Sequence, residues 1–229
     1  MTHVTDLRST LEILREMPGQ LVETNVEVNP AAELAGVYRY VGAGGTVQRP
    51  TKVNGPAMLF HNINGHPDAS IAIGVLGSRK RVAALLDCPP EDLGRLLCRC
   101  AENPIDPIVV EGEAPCQEVV HLASDVDFDL NKLIPAPTNT PVDAGPYITL
   151  GMCYATHPDT GKSDVTIHRM CIQGKDELSI FLQPGSRHIG AMAERATELG
   201  IPLPISVSIG VDPAIEVTSC FEPPTTPLG

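Results

Sequence analysis

Two short stretches in the second half of the chain carry residues that could bind a metal ion beside a phosphate. Asp164 and His188 supply a carboxylate and an imidazole, and both groups ligate divalent cations. Arg169 and Arg187 add fixed positive charge in the same two stretches. Because two ligands are too few for a closed metal site, further donors would have to come from elsewhere. The alternative interpretation is that the aspartate and the histidine are simply solvated.

A strand and a helix must position these residues. The stretch 162–170 alternates apolar and polar residues, which predicts a strand that carries Asp164. Ser186 predicts the N-cap of a helix. Apolar residues follow it at helical spacing, namely Ile189, Met192, Ala193 and Ala196. A helix N-terminus offers unpaired N–H groups and positive potential, so this one would suit a phosphate.

The period of a strand divides the residues of the stretch between two faces. One face takes Asp164, Thr166 and His168, and the other takes Val165, Ile167 and Arg169. A regular strand therefore cannot direct both Asp164 and Arg169 toward one site. A β-bulge could re-aim one of them.

The remaining pattern predicts a mixed α/β (α+β) protein with a boundary near residue 125. Domain 1–124 is predicted to be α/β, with Thr5 or Asp6 capping the first helix. Helices are predicted over 31–40, from 78 and over 90–100, and strands over 21–28, 57–60, 70–75, 108–110 and 117–122. Domain 125–229 is predicted to contain a hairpin of 147–156 with the Asp164 strand, then strands over 178–182 and 205–210. The cluster Arg79–Arg81 is predicted to be a solvated face.

Composition narrows the classes of partner. The formal net charge is −12, which disfavours nucleic acid and anionic membranes as partners. The apolar fraction of 42% is enough for a packed core, and no apolar run is long enough to span a membrane. The N-terminus lacks the pattern of a signal peptide, and the seven cysteines form no Cys-x-x-Cys pair. These features predict a cytoplasmic protein with reduced thiols.

Several of these stretches resemble the UbiD family of reversible decarboxylases, which use prenylated flavin mononucleotide (prenylated FMN). The family's Asn-x-x-Ile-x-Arg strand is similar to Asp164–Arg169, with Asp in place of the common Asn. His188 matches the family's metal-ligand histidine, and Asp212-Pro213-Ala214 matches a family Asp-Pro-Ala motif. Within the family, the chain looks most like the protocatechuate (3,4-dihydroxybenzoate) and gallate decarboxylases.

The resemblance implies an N-terminal α/β region followed by part of a flavin-binding split β-barrel. It implies that Asp164 and His188 bind Mn²⁺ or Mg²⁺ at the flavin phosphate. Further flavin contacts would come from Thr166, Ile167, His168, Arg169 and Arg187. The Ser219, Cys220 and Phe221 backbone would line the flavin and a K⁺ or Na⁺ ion. Arg169 would be catalytic, steering the carboxylate of an aromatic acid that releases carbon dioxide.

The family's third metal ligand and its acid–base glutamates follow a Pro-rich turn that matches Pro224–Pro227. The sequence stops at Gly229, so we expect a fragment of a longer protein, which would be a homo-oligomer supplied with cofactor by a flavin prenyltransferase. Two alternatives stay open. One is a split-barrel flavin reductase, which needs no metal ligands, and the other is a truncated, non-catalytic flavin-binding or assembly module.

Overall fold

The computed structural model describes residues 4–42, 55–183 and 187–221, and within these ranges the chain is a mixed α/β protein with two sheets. The α-helices are Leu7–Glu16 (α1), Glu33–Val41 (α2), Arg79–Leu85 (α3), Leu93–Glu102 (α4), Leu130–Leu133 (α5), His188–Leu199 (α6) and Pro213–Thr218 (α7). The strands are Leu21–Thr24 (β1), Ala57–Phe60 (β2), Ile71–Ile73 (β3), Tyr147–Thr156 (β4), Ser163–Ile172 (β5), Leu178–Ile180 (β6) and Ile205–Ser208 (β7). The predicted fold class is confirmed at this level.

The N-terminal region is built on a three-stranded sheet in the order β1-β2-β3. β1 and β2 are parallel, and β3 is antiparallel to β2. β2 is buried along its whole length, as its continuous apolar sequence predicts. Helix α1 begins with the predicted cap: the Asp6 carboxylate accepts from the Ser9 N–H, and the Ser9 hydroxyl oxygen accepts from the Asp6 N–H.

The predicted solvated basic face is confirmed for Arg79 and Lys80, which are exposed, but wrong for Arg81. Its side chain is fully buried, and its guanidinium donates to the carbonyl oxygens of Val75, Gly74 and Gly55 and to the Gln20 side chain. A guanidinium has five N–H donors in a rigid fork, so it can saturate several carbonyls where loops converge. The arginine therefore joins the start of β2 to the turn between β3 and α3.

The second sheet is antiparallel throughout, in the order β6-β5-β4-β7. The predicted hairpin of β4 and β5 is confirmed, and its last pair is Thr156 with Ser163. Helix α6 covers one face of this sheet with buried residues that include Ile189 and Met192. The split β-barrel stays a prediction, because the described strands form an open sheet.

Two strands predicted in the middle of the chain are wrong. Residues 108–110 and 117–122 contain no β-strand in the structure, and Pro115–Gln117 forms a 3₁₀ turn. Ile108 and Val109 are 89% and 87% exposed. Their β-branched side chains favour a strand, but a strand needs an edge to pair with, and these residues pair with none of the described ones. The strand predicted over 21–28 also ends early, at Thr24.

Within the described ranges, no helix combines the length and apolar character needed to cross a membrane.

Candidate functional site

The predicted metal pair is brought together at the junction of β5 and α6. Asp164 lies near the start of β5, and His188 is the first residue of α6. Their Oδ2 and Nδ1 atoms are 2.6 Å apart, and both side chains are largely buried. The second carboxylate oxygen, Oδ1, accepts the N–H of Val165 at 2.9 Å. This backbone bond fixes the plane of the carboxylate, so the pair is held in place before any ligand binds.

Thr166 and His168 form a second polar pair on the same face of β5. The Thr166 hydroxyl and His168 Nε2 are 2.8 Å apart, and both residues are buried. Strand alternation places them beside Asp164, as the sequence predicts. The cross-strand partners of the two residues on β4 are Cys153 and Gly151. The sequence predicted cofactor contacts for both residues but not the bond between them.

Arg187 joins the two elements that carry the site. It occupies the N-cap position of α6, and its Nη1 donates to the Ile167 carbonyl of β5 at 3.0 Å. The helix therefore starts one residue later than a Ser186 cap would give, and Ser186 itself lies outside the described residues. The bond holds the N-terminus of α6 against β5, next to the Asp164–His188 pair.

Arg169 lies on the opposite face of β5 from Asp164 and is exposed. The sheet does contain a bulge, but it belongs to β4, between Ile148 and Gly151. β5 keeps its alternation, so the bulge does not bring Arg169 to the metal pair. Near Arg169 lies Tyr147, whose pKa is raised chiefly by its hydrogen bond with the Cys171 thiol, while the arginine acts in the opposite direction.

The three predicted backbone contacts, Ser219, Cys220 and Phe221, follow directly after α7. Their hydrogen bonds run back into that helix: the Ser219 hydroxyl donates to the Glu216 carbonyl, and the Phe221 N–H donates to Thr218. The Pro-rich turn after Phe221 lies outside the described residues.

Glu216 is a buried acid that the sequence analysis missed. Burial raises the pKa of its carboxyl to about 7, and nearby Asp212 acts in the same direction. Helical spacing was the available signal, because Glu216 follows buried Pro213 by three residues and precedes buried Ser219 by three.

The donor chemistry of the β5–α6 junction fits a hard divalent cation. A carboxylate and an imidazole are already adjacent there, at the N-terminus of a twelve-residue helix whose first N–H groups favour an anion. Among the described residues, no group of three or more His, Cys, Asp or Glu could hold a metal. The two residues would therefore need a further donor, which a phosphate oxygen could supply.

Two family models match the sequence over most of its length. Residues 12–100 match the N-terminal domain of 3-octaprenyl-4-hydroxybenzoate carboxy-lyase, and residues 108–227 match its Rift-related domain. The chain belongs to the UbiD family. The resemblance inferred from the motifs is therefore confirmed.

Individual relatives agree with this assignment. The UbiD chain is 51% identical over 225 residues to the gallate decarboxylase of Lactiplantibacillus plantarum, a match that covers 98% of this chain and 46% of that protein. It superimposes with a TM-score of 0.89 on apo 3,4-dihydroxybenzoic acid decarboxylase from Enterobacter cloacae, at 52% identity, covering 98% of this chain and 46% of that one.

A third match includes a bound cofactor. An evolved dimeric form of the UbiD-class enzyme HmfF from Pelotomaculum thermopropionicum, in complex with prFMN, gives a TM-score of 0.81 at 32% identity and covers 95% of this chain and 46% of that one. The chain thus spans about half the length of the curated relatives it matches.

Proposed function

We propose that the complete protein catalyses the reversible, non-oxidative decarboxylation of a dihydroxybenzoic-type aromatic acid, using prenylated FMN and a divalent metal. The observation that carries the proposal is the preorganised Asp164–His188 pair at the start of α6, in a chain 51% identical to a gallate decarboxylase. An unmodified-flavin reductase has no need of this pair.

Asp164 and His188 would hold Mn²⁺ or Mg²⁺ together with a phosphate oxygen of the flavin. The Val165 N–H already orients the Asp164 carboxylate, which limits the reorganisation on binding. A carboxylate binds a hard cation more strongly than the amide that the family commonly has at this position, and it adds a negative charge near the phosphate. We therefore expect the metal preference to differ from that of relatives with Asn.

The phosphate end of the flavin would be held at the β5–α6 junction, and the end of α7 would contribute to the site of its ring. Thr166 and the Ile167 backbone would contact its phosphate and ribityl chain, and Arg187 would add charge at the helix N-terminus. The backbone of Ser219–Phe221 would line the ring and a K⁺ or Na⁺ ion. When bound, prenylated FMN supplies the electron sink that the decarboxylation needs.

Arg169 would bind the substrate carboxylate beside the flavin ring. A guanidinium can hold a carboxylate through two parallel hydrogen bonds, which an ammonium cannot copy. Its exposure leaves it available to a ligand. We expect Arg169→Lys to keep the cofactor and to lose about one to two decades in rate, equivalent to roughly 1.5–3 kcal/mol.

Several further assignments belong to the same proposal. We infer a cytoplasmic homo-oligomer that receives its cofactor from a flavin prenyltransferase, and we keep the domain boundary near residue 125. We also keep K⁺ or Na⁺ as the monovalent ion, and we propose no contact with nucleic acid or membrane.

The test compares the 229-residue chain with the protein expressed from its complete reading frame, both supplied with prenylated FMN and Mn²⁺. We expect release of carbon dioxide from 3,4-dihydroxybenzoate or gallate by the complete protein and none by the 229-residue chain, because this chain spans only 46% of the gallate decarboxylase that it matches. Flavin-dependent NADH oxidation without decarboxylation would favour the reductase. Flavin binding with neither activity would favour the assembly module.

A further inference from the structure

The buried bond between Thr166 and His168 gives the histidine a definite role. Thr166 is 2% exposed and His168 8% exposed, and their side chains meet at 2.8 Å. Within the described ranges, His168 is the only side chain that hydrogen-bonds the Thr166 hydroxyl.

Either Thr166 or His168 can donate the hydrogen in this bond, and the two cases have different consequences. A threonine hydroxyl has one hydrogen to donate and two lone pairs that accept. If His168 Nε2 accepts, the hydrogen of Thr166 is consumed within the pair. If Nε2 carries a hydrogen and donates, Thr166 accepts, and its own hydrogen remains available for a third group.

The location of Thr166 selects between these cases. Strand alternation puts it on the same face as Asp164, two residues away, and Asp164 contacts His188 at the start of α6. The group proposed to bind there is a phosphate, whose ionised oxygens accept hydrogen bonds. Only a Thr166 hydroxyl that still has its hydrogen can bind such an oxygen.

We propose that His168 is a positioning residue that donates from Nε2 to Thr166 and thereby directs the Thr166 hydroxyl hydrogen to the flavin phosphate. This inference rests on the proposed function, because it assumes a flavin phosphate at the β5–α6 junction. It assigns His168 an indirect role in cofactor binding, which acts through Thr166.

The test measures the affinities of FMN and of riboflavin, which lacks the phosphate, with Mn²⁺ and the protein from the complete reading frame. The variants are Thr166→Val, His168→Leu, His168→Gln and the double variant Thr166→Val/His168→Leu. Glutamine is the matched control, because its amide nitrogen can donate from nearly the same position as Nε2. Leucine removes the donor.

We expect His168→Leu and Thr166→Val each to weaken FMN binding about tenfold, and His168→Gln to stay within about threefold of wild type. Riboflavin affinity should change less than about twofold in every variant, because the lost bond involves the phosphate. The double variant should bind FMN no more weakly than Thr166→Val, since both substitutions remove one contact.

Three results would overturn the role of His168 alone. The first is an FMN affinity that is unchanged in His168→Leu but weakened in Thr166→Val. The second is an equal loss of FMN affinity in His168→Gln and His168→Leu. The third is a double variant whose loss of FMN affinity equals the sum of the two single losses. A wild-type protein that binds FMN and riboflavin equally would overturn the proposed function together with this inference.

A spectroscopic measurement on the unmodified protein keeps the inference testable if a variant does not fold. Imidazole ¹⁵N shifts of the wild-type protein with FMN bound should show a hydrogen on His168 Nε2. A neutral His168 with its hydrogen only on Nδ1 would overturn the inference.

Discussion

Two sets of polar side chains in the described part of the chain, one around Arg81 and one at the β5–α6 junction, differ in what they bind. In the N-terminal region, Arg81 makes four hydrogen bonds to protein acceptors. At the β5–α6 junction, Asp164 contacts His188 and the N–H of Val165, and Thr166 contacts His168. Arg81 donates only to groups that belong to the N-terminal core, whereas the junction residues include a carboxylate and an imidazole, which are ligand types that divalent cations accept.

The difference separates a structural role from a binding role. A buried charge is tolerated when hydrogen bonds replace the water it loses, and Arg81 meets that requirement by itself. Burial lowers the pKa of the Arg81 guanidinium, but an arginine remains charged at neutral pH. The residues at the junction lie close to a helix N-terminus, and short contacts already orient their side chains, which is the arrangement expected of a preorganised site.

The largest effect should follow from Arg81→Met. This change leaves the carbonyls of Val75, Gly74 and Gly55 without their donor while keeping much of the apolar volume. We expect the free energy of unfolding to fall by about 3–5 kcal/mol, measured by urea denaturation.

Lys80→Met is the matched control, because Lys80 precedes Arg81 in α3 and is exposed. Its effect should stay within about 0.5 kcal/mol. Equal losses in the two variants would show that Arg81 has no special structural role.

Asp164→Ala and His188→Ala should affect cofactor binding more than stability. Each removes a proposed metal ligand, so we expect Mn²⁺-dependent FMN affinity to fall by about a hundredfold, while the free energy of unfolding falls by about 1–2 kcal/mol, less than for Arg81→Met. Titration of the complete protein with FMN, with and without Mn²⁺, measures the first quantity, and urea denaturation the second.

Asp164→Asn is the control for this pair, because it keeps an oxygen donor and restores the residue common in the family. It should retain FMN, with an altered ratio of Mn²⁺ to Mg²⁺ affinity. Retention of metal and FMN by both alanine variants would remove the distinction between the two polar groups.

Glu216→Gln should change how stability depends on pH. The pKa of Glu216 is raised to about 7, so between its unfolded value and pH 7 the folded state binds a proton that the unfolded state has released. The native protein therefore loses stability through this group as pH rises across that window. At about pH 8 the glutamine variant should be more stable than wild type by about 2–3 kcal/mol, and the two should be nearly equal at about pH 4.

Urea denaturation of both proteins at the two pH values measures this difference. A stability difference that did not vary with pH would mean that the Glu216 carboxyl titrates normally. In that case, Glu216 would belong to neither kind of polar group.

Sequence reasoning succeeded where a local rule also decides the structure. The hairpin of β4 and β5 follows from alternation and the Gly161 turn, and α1 follows from its capping residue Asp6. The contact of Asp164 with His188 was expected from the family motif, although the residues are 24 positions apart.

The failures share one physical cause, because each depends on partners far away in the sequence. The segment 108–110 has strand propensity, but pairing also needs an adjacent edge. The charge of Arg81 predicts a solvated side chain, and the acceptors that allow its burial include Gly55 and Gln20, which are 26 and 61 residues away in the sequence. The Thr166–His168 bond was within reach of period-two reasoning, but the sequence does not reveal that this face is buried.

Arg187 is the intermediate case, and we expect the smallest effect there. Its bond to the Ile167 carbonyl resembles the bonds of Arg81, while its place at the N-terminus of α6 resembles that of His188.

Arg187→Met should lower the free energy of unfolding by about 1 kcal/mol, the value of one hydrogen bond, and weaken FMN binding about three- to fivefold without changing riboflavin binding. Arg187→Lys keeps the charge but not the rigid fork, so it should lose a similar amount of stability and recover most of the FMN affinity. Urea denaturation and paired titrations with FMN and riboflavin measure these quantities. If both variants lose stability and neither loses FMN selectively, Arg187 belongs with Arg81, and its charge has no part in phosphate binding.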